Sequence, residues 1–233
     1  MDIIQEEQEI QFNPEDYTLE EILKPKNCAL LVVDMQNDYL HKEGFFAKRL
    51  KTDIKQMQSI VPNIQKLIDA AHDAGVLVIF TQGSEDVKFR KPGPDLRRAV
   101  SWKENDGDGS VNSQRGSFGW EFYGVKPTEK DIIVEKHKWS AFDGKDKDGK
   151  SLKEILDERG LRTLIVAGVV AETCIETTLR DAYSKDYFTV IPEKSVGSND
   201  SNQRFSRMIY WGTGFLGDVV EENEIKKIWS RED

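Results

Sequence analysis

Short apolar runs alternate along this chain with stretches of helical period, and that alternation constrains the fold more than any other feature. The runs are Ala29–Val33, Val76–Thr81, Asp131–Glu135, Leu164–Ala167 and Phe188–Ile191. They are rich in β-branched residues and near-continuously apolar, the composition of strands covered on both faces. Between them, residues 52–74 place Ile60, Ile64, Ile68 and Ala71 at helical spacing, with Gly75 as the stop. Ser151 caps a second helix, Leu152–Glu158, which Gly160 ends, and a further helix is expected around Gln203–Tyr210. Residues 215–229 supply a last short strand at Asp218–Val220 and a terminal helix. Strands alternating with helices predict an α/β fold: a three-layer α/β/α sandwich on a mostly parallel, doubly wound, Rossmann-like sheet.

The change of period is sharpest in LIVAGVVAETCIETTLRDAY, residues 164–183. The apolar run ends at Gly168, and from Glu172 the spacing turns helical, with Ile175, Leu179, Ala182 and Tyr183 on one face. Cys174 therefore sits where a strand hands over to a helix. Unpaired amides and the helix dipole there favour an anion, which predicts a thiol drawn toward thiolate and an oxyanion held by backbone N–H groups. The alternative is a small buried hydrophobe, the common fate of a free cysteine.

Bulk composition narrows the function. The chain has 233 residues, 38% hydrophobic and 32% charged, enough apolar material for a real core. A net charge of −9 argues against nucleic acid as a partner, since phosphate binding needs a basic patch. No apolar run approaches membrane-spanning length. The start, MDIIQEEQEI, has no signal-peptide core, so the expectation is a cytoplasmic protein with no membrane partner. Only Cys28 and Cys174 are present, in unlike contexts, so a disulfide framework is not expected and Cys28 reads as structural. Residues 1–26 read as an acidic arm, with a capping-box shape at Thr18–Glu21, packed on the domain or on a neighbouring subunit; residues 27–233 read as one domain. A homo-oligomer, dimer or tetramer, is expected.

In parallel α/β sheets ligands bind beyond the carboxyl ends of the strands. Asp34 follows the first strand, Lys136 the third and Cys174 the fourth. Singly each has an ordinary reading as a loop cap, a surface lysine and a packed thiol.

The segments LLVVDMQNDYL, IIVEKHKWSAF and VAGVVAETCIETTLRDAYSKDYFTVI resemble, in order and spacing, the signature regions of the isochorismatase-like cysteine hydrolases. The resemblance spans roughly residues 27–222. It implies an Asp–Lys–Cys triad at Asp34, Lys136 and Cys174, with Lys138 the rival lysine. It also implies a cis peptide at Val169–Val170 and an oxyanion hole made by the amides of Val170 and Cys174. The chain departs from the common family pattern at Ala171, where threonine is frequent. The family often places pocket-lining aromatics at positions matching Trp139 and Tyr39; core packing is the competing role for both.

Nicotinamidases of this family hold a metal through histidines after the second strand. Here that region reads TQGSEDVKF, and the histidines, His41, His72 and His137, lie elsewhere, so no metal and no cofactor are expected. The family's true isochorismatases lack the nucleophilic cysteine. The run CIETTLRDAYSKDYF most resembles the ureidoacrylate, biuret and N-carbamoylsarcosine amidohydrolase branch. The expected function is thus cysteine-dependent hydrolysis of a carbamoyl or ureido amide in a small molecule, through a covalent thioester-type intermediate. The alternatives are another small-amide hydrolase of nicotinamidase type without metal, and a catalytically silent binding protein. A substrate carboxylate would need a cation; Lys48, Arg49, Lys88, Arg90, Lys91, Arg97 and Arg98 are available, and one arginine among them is expected to clamp it, because its fork suits a carboxylate best.

Overall fold

The computed structural model describes residues 13–85, 91–94, 96–97, 112–199 and 216–231. Six strands form one open sheet in the order β3-β2-β1-β4-β5-β6: β1 Cys28–Val33, β2 Leu77–Gly83, β3 Ile132–Lys136, β4 Thr163–Gly168, β5 Phe188–Pro192 and β6 Asp218–Val220. Every pairing is parallel, a stricter arrangement than the mostly parallel sheet expected. The order reverses beside β1, where β2 and β4 flank it on opposite sides. That is the switch point at which an open α/β sheet leaves a crevice.

Side chains alternate across each strand, so one apolar run feeds two cores. Leu30, Val32, Val78, Phe80, Ile165 and Val190 face a layer containing α2 (Val61–Asp73) and α5 (Glu222–Trp229). Ala29, Leu31, Val33, Ile79, Val134, Leu164 and Val166 face the other, containing α3 (Leu152–Asp157) and α4 (Glu176–Tyr183). β1 and β4 are buried at every residue, which is why they read as unbroken apolar runs.

Three details differ from the sequence reading. The helix expected over 52–74 breaks at Ile60 into Lys55–Ser59 and α2, with Pro62 in the first turn of α2, where a missing N–H costs nothing. The stretch before α4 begins not as an α-helix but as a π-type turn, Ala171–Ile175. Tyr183, expected on the apolar face, is 58% exposed because α4 has reached its last residue and left the sheet. The helix expected at Gln203–Tyr210 lies outside the described residues.

At the amino-terminal side, α1 (Leu19–Ile22) is capped by Thr18, whose hydroxyl accepts the Glu21 N–H, and Ile22 and Leu23 are buried. Trp229 Nε1 donates to the Leu23 carbonyl at 3.0 Å, tying this segment to α5. Cys28 is fully buried, and its burial pushes the thiol up to about 12 despite a favourable contact with Trp229. No described helix is long and apolar enough to cross a membrane.

Candidate active site

The crevice is made by the carboxyl ends of β1, β3 and β4. β1 ends against β4 at the pair Val33–Gly168. A side chain at Gly168 would meet the Val33 carbonyl oxygen at 2.2 Å, and its φ of +118° is open to glycine. The backbone leaves β4 through the Val169–Val170 peptide, which is cis, and enters the π-type turn that carries Cys174.

Asp34, the first residue beyond β1, has φ +48°, a left-handed conformation that costs a non-glycine residue on the order of 1 kcal/mol or more. Two bonds hold it there. Its N–H donates to Thr81 Oγ1 at 3.1 Å, and the Thr81 hydroxyl donates to Asp34 Oδ1 at 2.6 Å. Gln36 then pins the exit of β1 to the end of β2: Nε2 donates to the Gly83 carbonyl at 3.0 Å, while Oε1 accepts the Gly83 N–H at 2.8 Å. The same Nε2 reaches the Trp120 carbonyl at 2.9 Å, fastening the wall at residues 118–123.

Lys136 is the last residue of β3 and shares the face of Val134, the face on which α4 lies. Its Nζ lies 2.7 Å from Asp34 Oδ2 and 3.4 Å from Cys174 Sγ, and donates to the Lys138 carbonyl at 3.1 Å. Asp34, Lys136 and Cys174 are 0%, 2% and 6% exposed, so the ammonium and carboxylate interact where water screens little. Lys138, the rival lysine, is exposed and contributes only its carbonyl to this cluster.

The electrostatics correct one expectation. Burial pushes the Cys174 thiol up to about 12; the Lys136 ammonium pulls it down and the Asp34 carboxylate raises it again. The resting thiol is therefore protonated at neutral pH, not drawn toward thiolate, because lost solvation outweighs the one cation. Burial disfavours the charge of Lys136 most strongly, yet Asp34 and Cys174 together hold it above its ordinary value, so it stays an ammonium.

The helix that follows Cys174 is fixed to the loop that follows Lys136. Thr178 Oγ1 donates to the Cys174 carbonyl at 2.6 Å and accepts the Ala141 N–H at 3.0 Å. Of the amides around the turn, Ala171 N–H is committed to the Gly197 carbonyl at 2.8 Å and Thr173 N–H to the Val170 carbonyl at 3.1 Å.

Tyr39 is 6% exposed, with its hydroxyl beside Gly83, where Asp34 Oδ1 and Gln36 Oε1 also converge. Burial, with Asp34 and Cys174 nearby, holds its phenol well above the ordinary range, so it is neutral. Asn112 Nδ2 donates to that hydroxyl at 3.4 Å. Trp139 is 40% exposed and so does not pack in the core. Of the candidate cations, Lys48 pairs with Glu43 and Arg49 lies over the Phe45 ring, each engaged locally. Lys91 and Arg97 are exposed; Lys88, Arg90 and Arg98 lie outside the described residues. His72 pairs with Asp131, His41 accepts the Glu43 N–H and His137 lies 3.3 Å from the Ser84 carbonyl, so the histidines are dispersed. Among the described residues no three metal-ligating side chains come together.

Thr81, Gln36 and Thr178 escaped the sequence reading. Each is a buried polar residue whose role cannot be assigned until its hydrogen-bond partners are known.

The isochorismatase domain model matches residues 28–209. This chain belongs to the isochorismatase domain family. It is an enzyme, one of that family's hydrolases. Ureidoacrylate amidohydrolase RutB of Agrobacterium fabrum is 33% identical over 210 residues, covering 87% of this chain and 90% of that protein. The Acinetobacter baylyi protein of the same name is 31% identical over 176 residues, 72% of this chain and 69% of its own length. Among solved structures, N-carbamoylsarcosine amidase from Thermoplasma acidophilum is 25% identical with a TM-score of 0.65, over 84% of this chain and 97% of that one. A cysteine hydrolase from Pseudomonas syringae pv. phaseolicola shares the fold, with a TM-score of 0.71 at 24% identity, covering 88% of this chain and 93% of its own.

Proposed function

We propose that this family member is a cysteine-dependent amidohydrolase that cleaves a carbamoyl or ureido C–N bond in a small molecule, with Asp34, Lys136 and Cys174 as its catalytic residues and no metal. The observation that carries the reading is the buried convergence of Lys136 Nζ on Asp34 Oδ2 and Cys174 Sγ. The amidohydrolase names of the relatives above support the bond type.

The chemistry follows from the protonation states. The resting thiol is neutral, so its proton leaves as Sγ attacks the carbonyl carbon, and Asp34 receives it. Lys136 keeps its charge throughout and offsets the negative charge on sulfur. The new S–C bond places negative charge on the former carbonyl oxygen, which the amides of Val170 and Cys174 accept. The family resemblance implies these two amides, and the N–H groups of Ala171 and Thr173 are engaged elsewhere. Collapse breaks the C–N bond, and the nitrogen departs with the proton from Asp34, as ammonia or as an amine. Water then attacks the thioester-type intermediate, Asp34 takes its proton, and the thiol is restored with release of a carbamate or acid. Tyr39 and Trp139 are assigned to the pocket wall. We assign the protein to the cytoplasm, as a homo-oligomer whose order a sedimentation experiment would give.

The test is ammonia release from a panel of ureidoacrylate, N-carbamoylsarcosine, biuret and nicotinamide, with and without exhaustive chelation. Turnover of a ureido compound that chelation leaves unchanged is expected. Preference for nicotinamide, or loss of activity restored by zinc, would overturn the reading. No turnover together with a Cys174 that labels no faster than Cys28 would favour a silent binding protein.

A further inference from the structure

The mechanism asks Asp34 to face two partners through one oxygen, and the second oxygen is held by a residue with no role so far. Oδ2 meets the Lys136 ammonium at 2.7 Å, while Oδ1 receives the Thr81 hydroxyl at 2.6 Å. The Thr81 oxygen also accepts the Asp34 N–H at 3.1 Å, so a single side chain holds both the carboxylate and the left-handed backbone that aims it. Thr81 lies one residue past the Val32–Phe80 register pair and is fully buried, so its hydroxyl has no water to turn to. A hydroxyl carries one proton. Given to Oδ1, that proton stabilises the ionised carboxylate and prevents Oδ1 from being the site of protonation.

We infer that Thr81 is a positioning residue for Asp34, which occupies Oδ1 and leaves Oδ2, the oxygen beside Lys136, for proton exchange. The groups facing that carboxylate are Lys136 from β3, Cys174 from the turn after β4 and Tyr39 from the 37–40 turn, and only Thr81 approaches from β2 with a neutral donor. Without that donor neither the Asp34 backbone nor Oδ1 is held, so Oδ2 is presented less often beside Lys136 and turnover falls.

The inference rests on the reading of Asp34 as proton acceptor, and the experiment separates the two. Thr81→Val keeps the shape and removes both bonds; Thr81→Ser restores them without the methyl group. In the full chain, kcat and KM for ureidoacrylate are compared with iodoacetamide labelling of Cys174, read by mass spectrometry so that Cys28 is counted apart. Thr81→Val is expected to lose roughly ten- to a hundredfold in kcat/KM, the usual effect of removing a hydrogen bond to a charged group, while Cys174 still labels at the parent rate. The loss is expected in kcat with KM little changed, while Thr81→Ser keeps the parent kcat. If the valine variant does not fold, Thr81→Cys replaces it, since a thiol is a weak donor; a lowered kcat in cysteine but not in serine supports the role. Parent kcat in Thr81→Val, equal losses in valine and serine, or equal kcat in cysteine and serine overturn it. An Asp34→Asn protein that still hydrolyses would instead sink the parent reading, whatever Thr81 does.

Discussion

In the proposed mechanism Cys174 and Lys136 carry roles that substitution can tell apart. Cys174→Ala deletes the nucleophile while leaving the Asp34–Lys136 pair intact, so hydrolysis should fall by at least about ten-thousandfold with the folded state unchanged by circular dichroism. Cys174→Ser should be nearly as damaging, because an alcohol is harder to deprotonate. Lys136→Met is different, since it strands a fully buried carboxylate. It should abolish turnover and cost about 3–5 kcal/mol of unfolding free energy at neutral pH, measured in urea. Adding Asp34→Asn to it should recover stability but not activity; recovery of neither would mean that the pair is not the stabilising contact. Asp34→Asn alone removes the charge that raises the thiol, so it should stop hydrolysis while Cys174 still reacts with iodoacetamide. The positions of these residues were legible in the sequence because they sit at chemically abrupt strand ends. The resting state of the thiol was not, because desolvation depends on what covers it.

The elements position the site through two close contacts, each with its own test. β4 can lie in register with β1 at Val33–Gly168 only without a side chain at Gly168. Gly168→Ala should therefore destabilise the protein by about 3 kcal/mol or more, and depress activity beyond the loss of folded protein, since the turn bearing Cys174 must shift. A variant with parent stability would show that the register is not as tight as drawn. Thr178→Val cuts the link between the Cys174 carbonyl and Ala141, and is expected to cost about 1–2 kcal/mol. Strand locations were readable from apolar runs, to within a residue or two. The break at Ile60 and the π-type turn were not, because both satisfy local backbone geometry that a 3.6-residue period does not record.

At the scale of the whole molecule, both cysteines are held at about 12 against an ordinary 9.0, chiefly by burial. A raised pKa means that the unfolded chain loses these protons first. Stability is therefore fully present below about pH 9 and is lost as pH rises toward 12, by about 1 kcal/mol per thiol between pH 9 and 10. Urea midpoints across that interval should fall, and Cys28→Ala should remove that thiol's share, about 1 kcal/mol between pH 9 and 10. Substrate charge is the other molecular property. With Lys48 and Arg49 engaged locally, the carboxylate of a ureido acid would be held from the 82–127 segment. Alanine at one of Lys88, Arg90, Lys91, Arg97 or Arg98 should raise KM for ureidoacrylate about tenfold or more while sparing biuret; no such variant would mean a neutral substrate. The sequence by itself determined the parallel α/β architecture and placed Asp34, Lys136 and Cys174 at strand ends, because apolar runs, helical period and chemically abrupt strand ends are local properties; it was the family resemblance that proposed them as a triad. Only the tertiary structure decided that Lys136 reaches past β2 to Asp34, that Thr81 and Gln36 hold the end of β1, and that the thiol rests protonated. Those depend on distances across the sheet and on exclusion of water, which exist only once the strands have been laid side by side.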